Sequence, residues 1–219
     1  MPMPLSIGLG IWIAGVVVAT FAYAPPAKGF RDPEAARLVI LHVPCAMIAV
    51  VAYLVSTIYA VAYLARGRAA FDLRSAVSAG LGFAFTVLAT VTGMIFAAIQ
   101  WGAVWNWDPR ETSILMLMIV YAAYFALRSA IPSSVVRARV SAAYNVLACV
   151  AMVYLVFVLP RLMGGLHPNA TLTGRGSLSP EYRMVLACAM LGFVWLYVWA
   201  LRIRVRMAER ELTRKGQSG

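Results

Sequence analysis

The chain has 219 residues, of which 63% are hydrophobic and only 12% charged. Soluble domains carry about 25% charged residues, so this composition excludes an ordinary soluble enzyme or a solvated binding module and points to a membrane protein. The formal net charge of +11 does not indicate a nucleic-acid binder, because the Lys and Arg residues lie between long apolar runs, where they orient a chain in the bilayer.

The first apolar run, 5–24, ends in Ala22-Tyr23-Ala24, a sequence similar to a signal-peptidase site. No Lys or Arg precedes it, and it is longer than the ~7–15 residues of a signal core, so it reads as a retained first span. Further runs follow at 36–65, 76–99, 110–128, 139–159 and 183–201, each long enough for the ~20 residues a crossing helix needs. None has a Lys, Arg, Asp or Glu in its central part. The expected fold is an all-α membrane protein: one membrane domain over 1–219, a six-helix bundle with antiparallel neighbours, and a basic tail at 202–219. Cys45, Cys149 and Cys188 all lie in apolar runs and form no C-x-x-C pair, which fits small buried hydrophobes better than redox or zinc chemistry.

Orientation follows from the basic residues flanking the spans. Arg66, Arg68, Arg74, Arg128, Arg137, Arg139, Arg202, Arg204, Arg206, Arg210, Arg214 and Lys215 fall on one side. Lys28, Arg31, Arg37, Arg110, Arg161, Arg175 and Arg183 fall on the other. The richer side is expected to be cytoplasmic, which puts both termini inside and turns the loops 25–35, 100–109 and 160–182 outward.

Each outer loop closes on a helix-start signal: Asp32-Pro33-Glu34, Asp108-Pro109-Arg110-Glu111 and Ser179-Pro180-Glu181. An Asp or Ser cap followed by Pro begins a helix, and Glu111 completes a capping box with Asp108. Asp108 therefore reads as a cap rather than a catalytic acid. Three helix N-termini then converge on the outer face, an arrangement that favours anions.

The only two histidines, His42 and His167, belong to this same face. His42 stands in Leu41-His42-Val43-Pro44, where the proline is expected to kink the helix. His167 follows Gly164-Gly165-Leu166 in the last outer loop, where the glycines allow the chain to fold over the bundle. A lone histidine at an interface is ordinarily a hydrogen-bonded structural residue; two on one face are also suited to the two axial positions of a haem. Between them in sequence lies Trp101-Gly102-Ala103-Val104-Trp105-Asn106-Trp107-Asp108, with three of the six tryptophans in seven residues. Interfacial tryptophans usually form a lipid belt. Here the cluster also offers an aromatic platform for a planar ring, with Arg110 placed to meet a carboxylate.

The segment from Trp101 to Thr112 resembles the tryptophan-rich signature of the haem-handling proteins of cytochrome c maturation. Leu41-His42-Val43-Pro44 resembles the histidine segment of the C subunit of the haem exporter in that system, and six spans in about 220 residues match it along nearly the whole chain. The resemblance implies haem b held by His42 and His167 as axial ligands. It assigns Trp101, Trp105, Trp107 and Asp108 to the platform and chaperone-contact edge, on the periplasmic face of the bacterial inner membrane. It also implies transfer to a membrane-anchored periplasmic haem chaperone, with an ABC ATPase, a permease and a small membrane subunit as further partners. One departure is that Asp108-Pro109-Arg110-Glu111-Thr112 is closer to the related cytochrome c synthase (haem-lyase) subunits. Those are longer and richer in spans and histidines, so the exporter branch is favoured. No nucleotide-binding loop and no catalytic residue is apparent; any ATP is expected to be used by a partner. Two other readings stay open on the residues alone. One is an electron-transfer cytochrome b, disfavoured because His167 lies in a loop. The other is a permease whose tryptophans form a lipid belt.

Overall fold

The structure, a computed structural model, describes residues 3–27, 30–167 and 178–217. It is built of helices: α1 (Met3–Ala22), α2 (Val39–Arg66), α3 (Ala69–Trp101), α4 (Pro109–Ala130), α5 (Ser134–Val153), the short α6 (Leu159–Leu162) and α7 (Pro180–Gln217). A 3-10 turn, Ala35–Leu38, leads into α2, and a π turn, Tyr154–Val158, joins α5 to α6. Among the described residues, six helical segments are long and apolar enough to cross a membrane, so the six expected spans are all present.

Their boundaries depart from the apolar runs for identifiable reasons. Polar residues at the ends of α3 extend it to 33 residues, and its N-terminus takes in Asp72 and Arg74. α7 runs for 38 residues, about 57 Å at ~1.5 Å per residue, well beyond the ~30 Å of a hydrocarbon core. The basic tail from Arg202 is thus mostly the continuation of the last span and not a separate segment. α2 and α3 each end on a glycine in the left-handed region: Gly67 (φ 65°) donates to the Tyr63 carbonyl and Gly102 (φ 85°) to that of Ala98.

α2 is the centre of the bundle and packs on α3, α5 and α7. Close approach of α2 to α3 depends on Gly82, where a Cβ would lie 2.8 Å from the Tyr53 ring; that ring stacks on Tyr121 of α4 at 3.6 Å. Lipid supplies no hydrogen bonds, so polar groups inside the bundle must find partners there. Ser56 and Ser75 each donate to the other's backbone carbonyl (2.7 and 2.9 Å), Asn145 donates to Ser56 Oγ (2.6 Å), and Ser78 pairs with the Tyr197 hydroxyl (2.7 Å). These links tie α2, α3, α5 and α7 together. At the Arg-rich end, Arg128 holds Asp72 through two parallel bonds of 2.6 and 2.7 Å, joining the last turn of α4 to the first turn of α3.

At the opposite end the three loops expected to share a face do meet. The side-chain amide of Gln100, at the end of α3, exchanges two hydrogen bonds with the backbone of Asp32 (2.7 and 3.1 Å). Arg37 donates to the Ala24 carbonyl (3.0 Å), and the Tyr182 hydroxyl of α7 to that of Ala36 (2.7 Å). Lys28 and Arg175, counted above on this side, lie outside the described residues.

Candidate functional site

Of the three expected helix starts, two stand as read. Asp108 caps α4 with a complete capping box, and Ser179 Oγ accepts from the Tyr182 N–H (3.2 Å) at the start of α7. The first is corrected. Asp32 accepts from the N–H groups of Glu34 and Ala35 (3.0 and 2.9 Å), but only a 3-10 turn follows, and α2 proper begins at Val39. His42 therefore sits in the first turn of α2, and the helix runs on without a break through Pro44.

His42 points toward α3. Its Nδ1 lies 3.1 Å from Thr92 Oγ1. The Thr92 hydroxyl has two backbone carbonyls, of Leu88 and Ala89, within reach of its one proton (2.8 and 3.1 Å); with that proton on either of them, its oxygen accepts from His42. The imidazole then carries its proton on Nδ1 and leaves the Nε2 lone pair free. Gly93 makes room for the ring, since a Cβ there would stand 3.0 Å from His42 Cε1.

His167 reaches the same region from the loop after α6. Its Nδ1 is 2.9 Å from Asp108 Oδ1. A carboxylate only accepts, so this nitrogen too is the protonated one, and Nε2 is again free. Asp108 is buried, with further bonds from the N–H groups of Arg110 (2.9 Å) and Leu166 (2.6 Å). Burial opposes its ionisation, but these donors together with His167 outweigh it and hold the carboxyl below the usual carboxylate range. Burial likewise pushes the His167 imidazole below its ordinary value, with Asp108 acting against the shift. Gly165 permits the contact: a Cβ at this position would fall 2.5 Å from Asp108 Oδ2.

The tryptophan loop is fixed by the same cap. Glu111 Oε2 accepts from the N–H groups of Asn106 (2.6 Å) and Asp108 (3.4 Å), gripping the backbone on both sides of Trp107. Trp107 is the one described non-glycine residue at positive φ (55°), a conformation held only where surroundings enforce it. The tryptophans take different stations. Trp101 lies edge-on against the His167 ring, centroids 4.7 Å apart, and is braced by Phe96 at 5.6 Å. Trp105 faces inward. Trp107 is 71% exposed and meets Trp105 at 87°, so these two rings do not form one flat surface.

His42, His167, Trp105 and Arg110 all line one cavity of about 170 Å³ between α2, α3, α4 and the π turn. Thr92, Gly93 and the π turn, which contributes Leu155 and Val156 to this lining, were not recognised from sequence. Pro160 is the signal for the last of these. It has no N–H to offer the carbonyl of Val156, and the next donor, Leu159, bonds one residue further back to Tyr154. Among the described residues no group of three or more His, Cys, Asp or Glu stands together as a metal site. What the cavity offers is a pair of imidazoles, each with Nδ1 engaged by protein, in a mostly apolar wall that includes the Trp105 ring and the Arg110 guanidinium.

The model of the family described as heme exporter protein C matches residues 1–218. The chain belongs to the heme exporter protein C family. Heme exporter protein C of Paracoccus denitrificans is 30% identical over 186 residues, covering 81% of this chain and 77% of the relative. That of Escherichia coli K12 is 30% identical over 200 residues, covering 89% and 80%. A putative cytochrome c biosynthesis ccmC-like mitochondrial protein of Marchantia polymorpha is 32% identical over 117 residues, covering 53% and 46%. Membership in the heme exporter protein C family makes this a multi-pass membrane protein of cytochrome c maturation. It also decides the branch: the Asp-Pro-Arg-Glu-Thr form of the loop occurs here within an exporter subunit.

Proposed function

We propose that the chain binds haem b through axial His42 and His167 and presents it to a membrane-anchored haem chaperone on the periplasmic face of the inner membrane. The observation that carries this reading is the shared cavity that both imidazoles line, each with Nδ1 engaged by protein, which leaves Nε2 as the nitrogen to ligate a metal. Haem supplies an iron for two nitrogen ligands, an apolar ring and two carboxylates. The residues present fit that cargo: two imidazoles, the Trp105 ring and apolar side chains of the π turn, and the Arg110 guanidinium. A volume of 170 Å³ is below the ~300–1,000 Å³ of enclosed small-molecule sites. The ring is therefore held at the rim with part of its surface outside the cavity, where a chaperone can reach it. The exposed Trp107 lies on that outer edge. The excess of basic residues at the other end supports cytoplasmic termini. An ABC ATPase, its permease and a small membrane subunit complete the assembly and supply the ATP-driven step.

The test is to purify the protein from cells supplied with haem and record its absorption spectrum. The wild type is expected to show bis-imidazole haem, and the His42→Ala His167→Ala double variant to lose it along with c-type cytochrome production. An unchanged spectrum in the double variant overturns the proposal.

A further inference from the structure

The two imidazoles are held by chemically different acceptors. His42 gives its Nδ1 proton to a neutral hydroxyl, Thr92, at 3.1 Å, and His167 gives its own to a buried carboxylate, Asp108, at 2.9 Å. A carboxylate on the far nitrogen of a ligating histidine fixes the tautomer, orients the ring and makes Nε2 a stronger electron donor; a hydroxyl does so much less. The Asp108 carboxylate is itself held. Its two oxygens accept from Arg110 N, Leu166 N and His167 Nδ1, so it cannot turn away from the ring without opening the cap of α4 or releasing the 164–167 loop.

We infer that Asp108 is a positioning residue that acts on the cargo through His167, and that the paired Thr92 leaves His42 the weaker donor of an unequal pair. The inference rests on the reading that both histidines ligate haem. The signature residue at the end of the tryptophan loop thus has two tasks: it starts α4, which sets Trp105 and Trp107, and it aims and charges the ligand carried by a different loop. The 59 positions that separate them in sequence are bridged by one carboxylate.

The experiment measures the midpoint potential of the bound haem. Asp108→Asn retains a good helix cap but removes the charge, and is expected to raise the potential because His167 then donates less to the iron. Thr92→Val is expected to shift it in the same direction by less. The decisive arm uses His167→Gly protein with the missing ring supplied from solution. With imidazole, which has an N–H to give Asp108, Asp108→Asn again raises the potential. With 1-methylimidazole, which has none, the shift largely disappears. Three results overturn the inference: no shift on Asp108→Asn in the otherwise unaltered protein, an equal shift with 1-methylimidazole, or a folded Asp108→Asn protein that holds no haem in either background. The last two would place Asp108 in direct contact with haem. Wild-type protein that shows no bis-imidazole haem would instead defeat the underlying reading, and this inference with it.

Discussion

Gly165→Ala is expected to lower haem retention by roughly 10–100-fold, the usual effect of disturbing the groups that orient a metal's ligands, while the bundle stays folded. The new Cβ would stand 2.5 Å from Asp108 Oδ2 and 3.2 Å from both Asp108 Cγ and Pro109 Cδ. A flexible side chain would simply move aside. Asp108 is short, buried and fixed by its hydrogen bonds to Arg110, Leu166 and His167, so the loop must retreat instead and take His167 with it. Gly164→Ala is the matched control: a Cβ there meets nothing within 4 Å, and haem retention is expected to be unchanged. Titration of both purified variants with haem, with helix content checked by circular dichroism, distinguishes them. Equal retention in the two would remove the structural reason for glycine at 165.

The second large effect lies at the other end of the bundle and concerns stability alone. Asp72 and Arg128 meet through two charge-assisted bonds, and their side chains are only 17% and 18% exposed. Each also sits well for its own helix: Asp72 in the first turn of α3 and Arg128 in the last turn of α4. Asp72→Ala leaves a guanidinium with little water and no counter-charge. It is expected to cost roughly 3 kcal/mol, the lower end for losing one partner of a desolvated pair. Thermal unfolding in detergent should show a midpoint several degrees lower. The exchange Asp72→Arg Arg128→Asp is expected to restore only part of the loss, because it re-forms the pair but places both charges against the helix dipoles. An Asp72→Ala midpoint equal to wild type would show that the pair contributes nothing measurable.

The two ends also show how far the sequence alone could be read. Six spans, their order and the convergence of three loops were legible because each rests on a local signal: an apolar run, an Asp-Pro or Ser-Pro start, a count of basic residues. The capping box at Asp108 and Glu111 was legible for the same reason, since both partners lie within four positions. The first loop carries the same local signal, since Asp32 does cap two N–H groups, but Gln100 and Arg37 tie the chain around it and only a single 3-10 turn forms before α2 begins. What stayed hidden were long-range pairings. Nothing near Asp108 marks it as the partner of His167, and Thr92 sits among several Thr and Ser residues of α3 with no sign that His42 faces it. The spacing of the tryptophans by itself suggests one platform. The positive φ of Trp107, enforced by Glu111, instead sends that ring outward while Trp105 stays in the cavity.

The central claim is that His42 and His167 ligate the same haem iron from one cavity. It is tested most directly by electron paramagnetic resonance of the ferric haem-loaded protein, the wild type beside His42→Gly and His167→Gly singly. The wild type should give a low-spin bis-imidazole signal. Each single variant that keeps haem should turn high-spin and return to low-spin when imidazole is added to fill the missing ring's place. A low-spin signal that persists in either single variant without added imidazole would contradict the account.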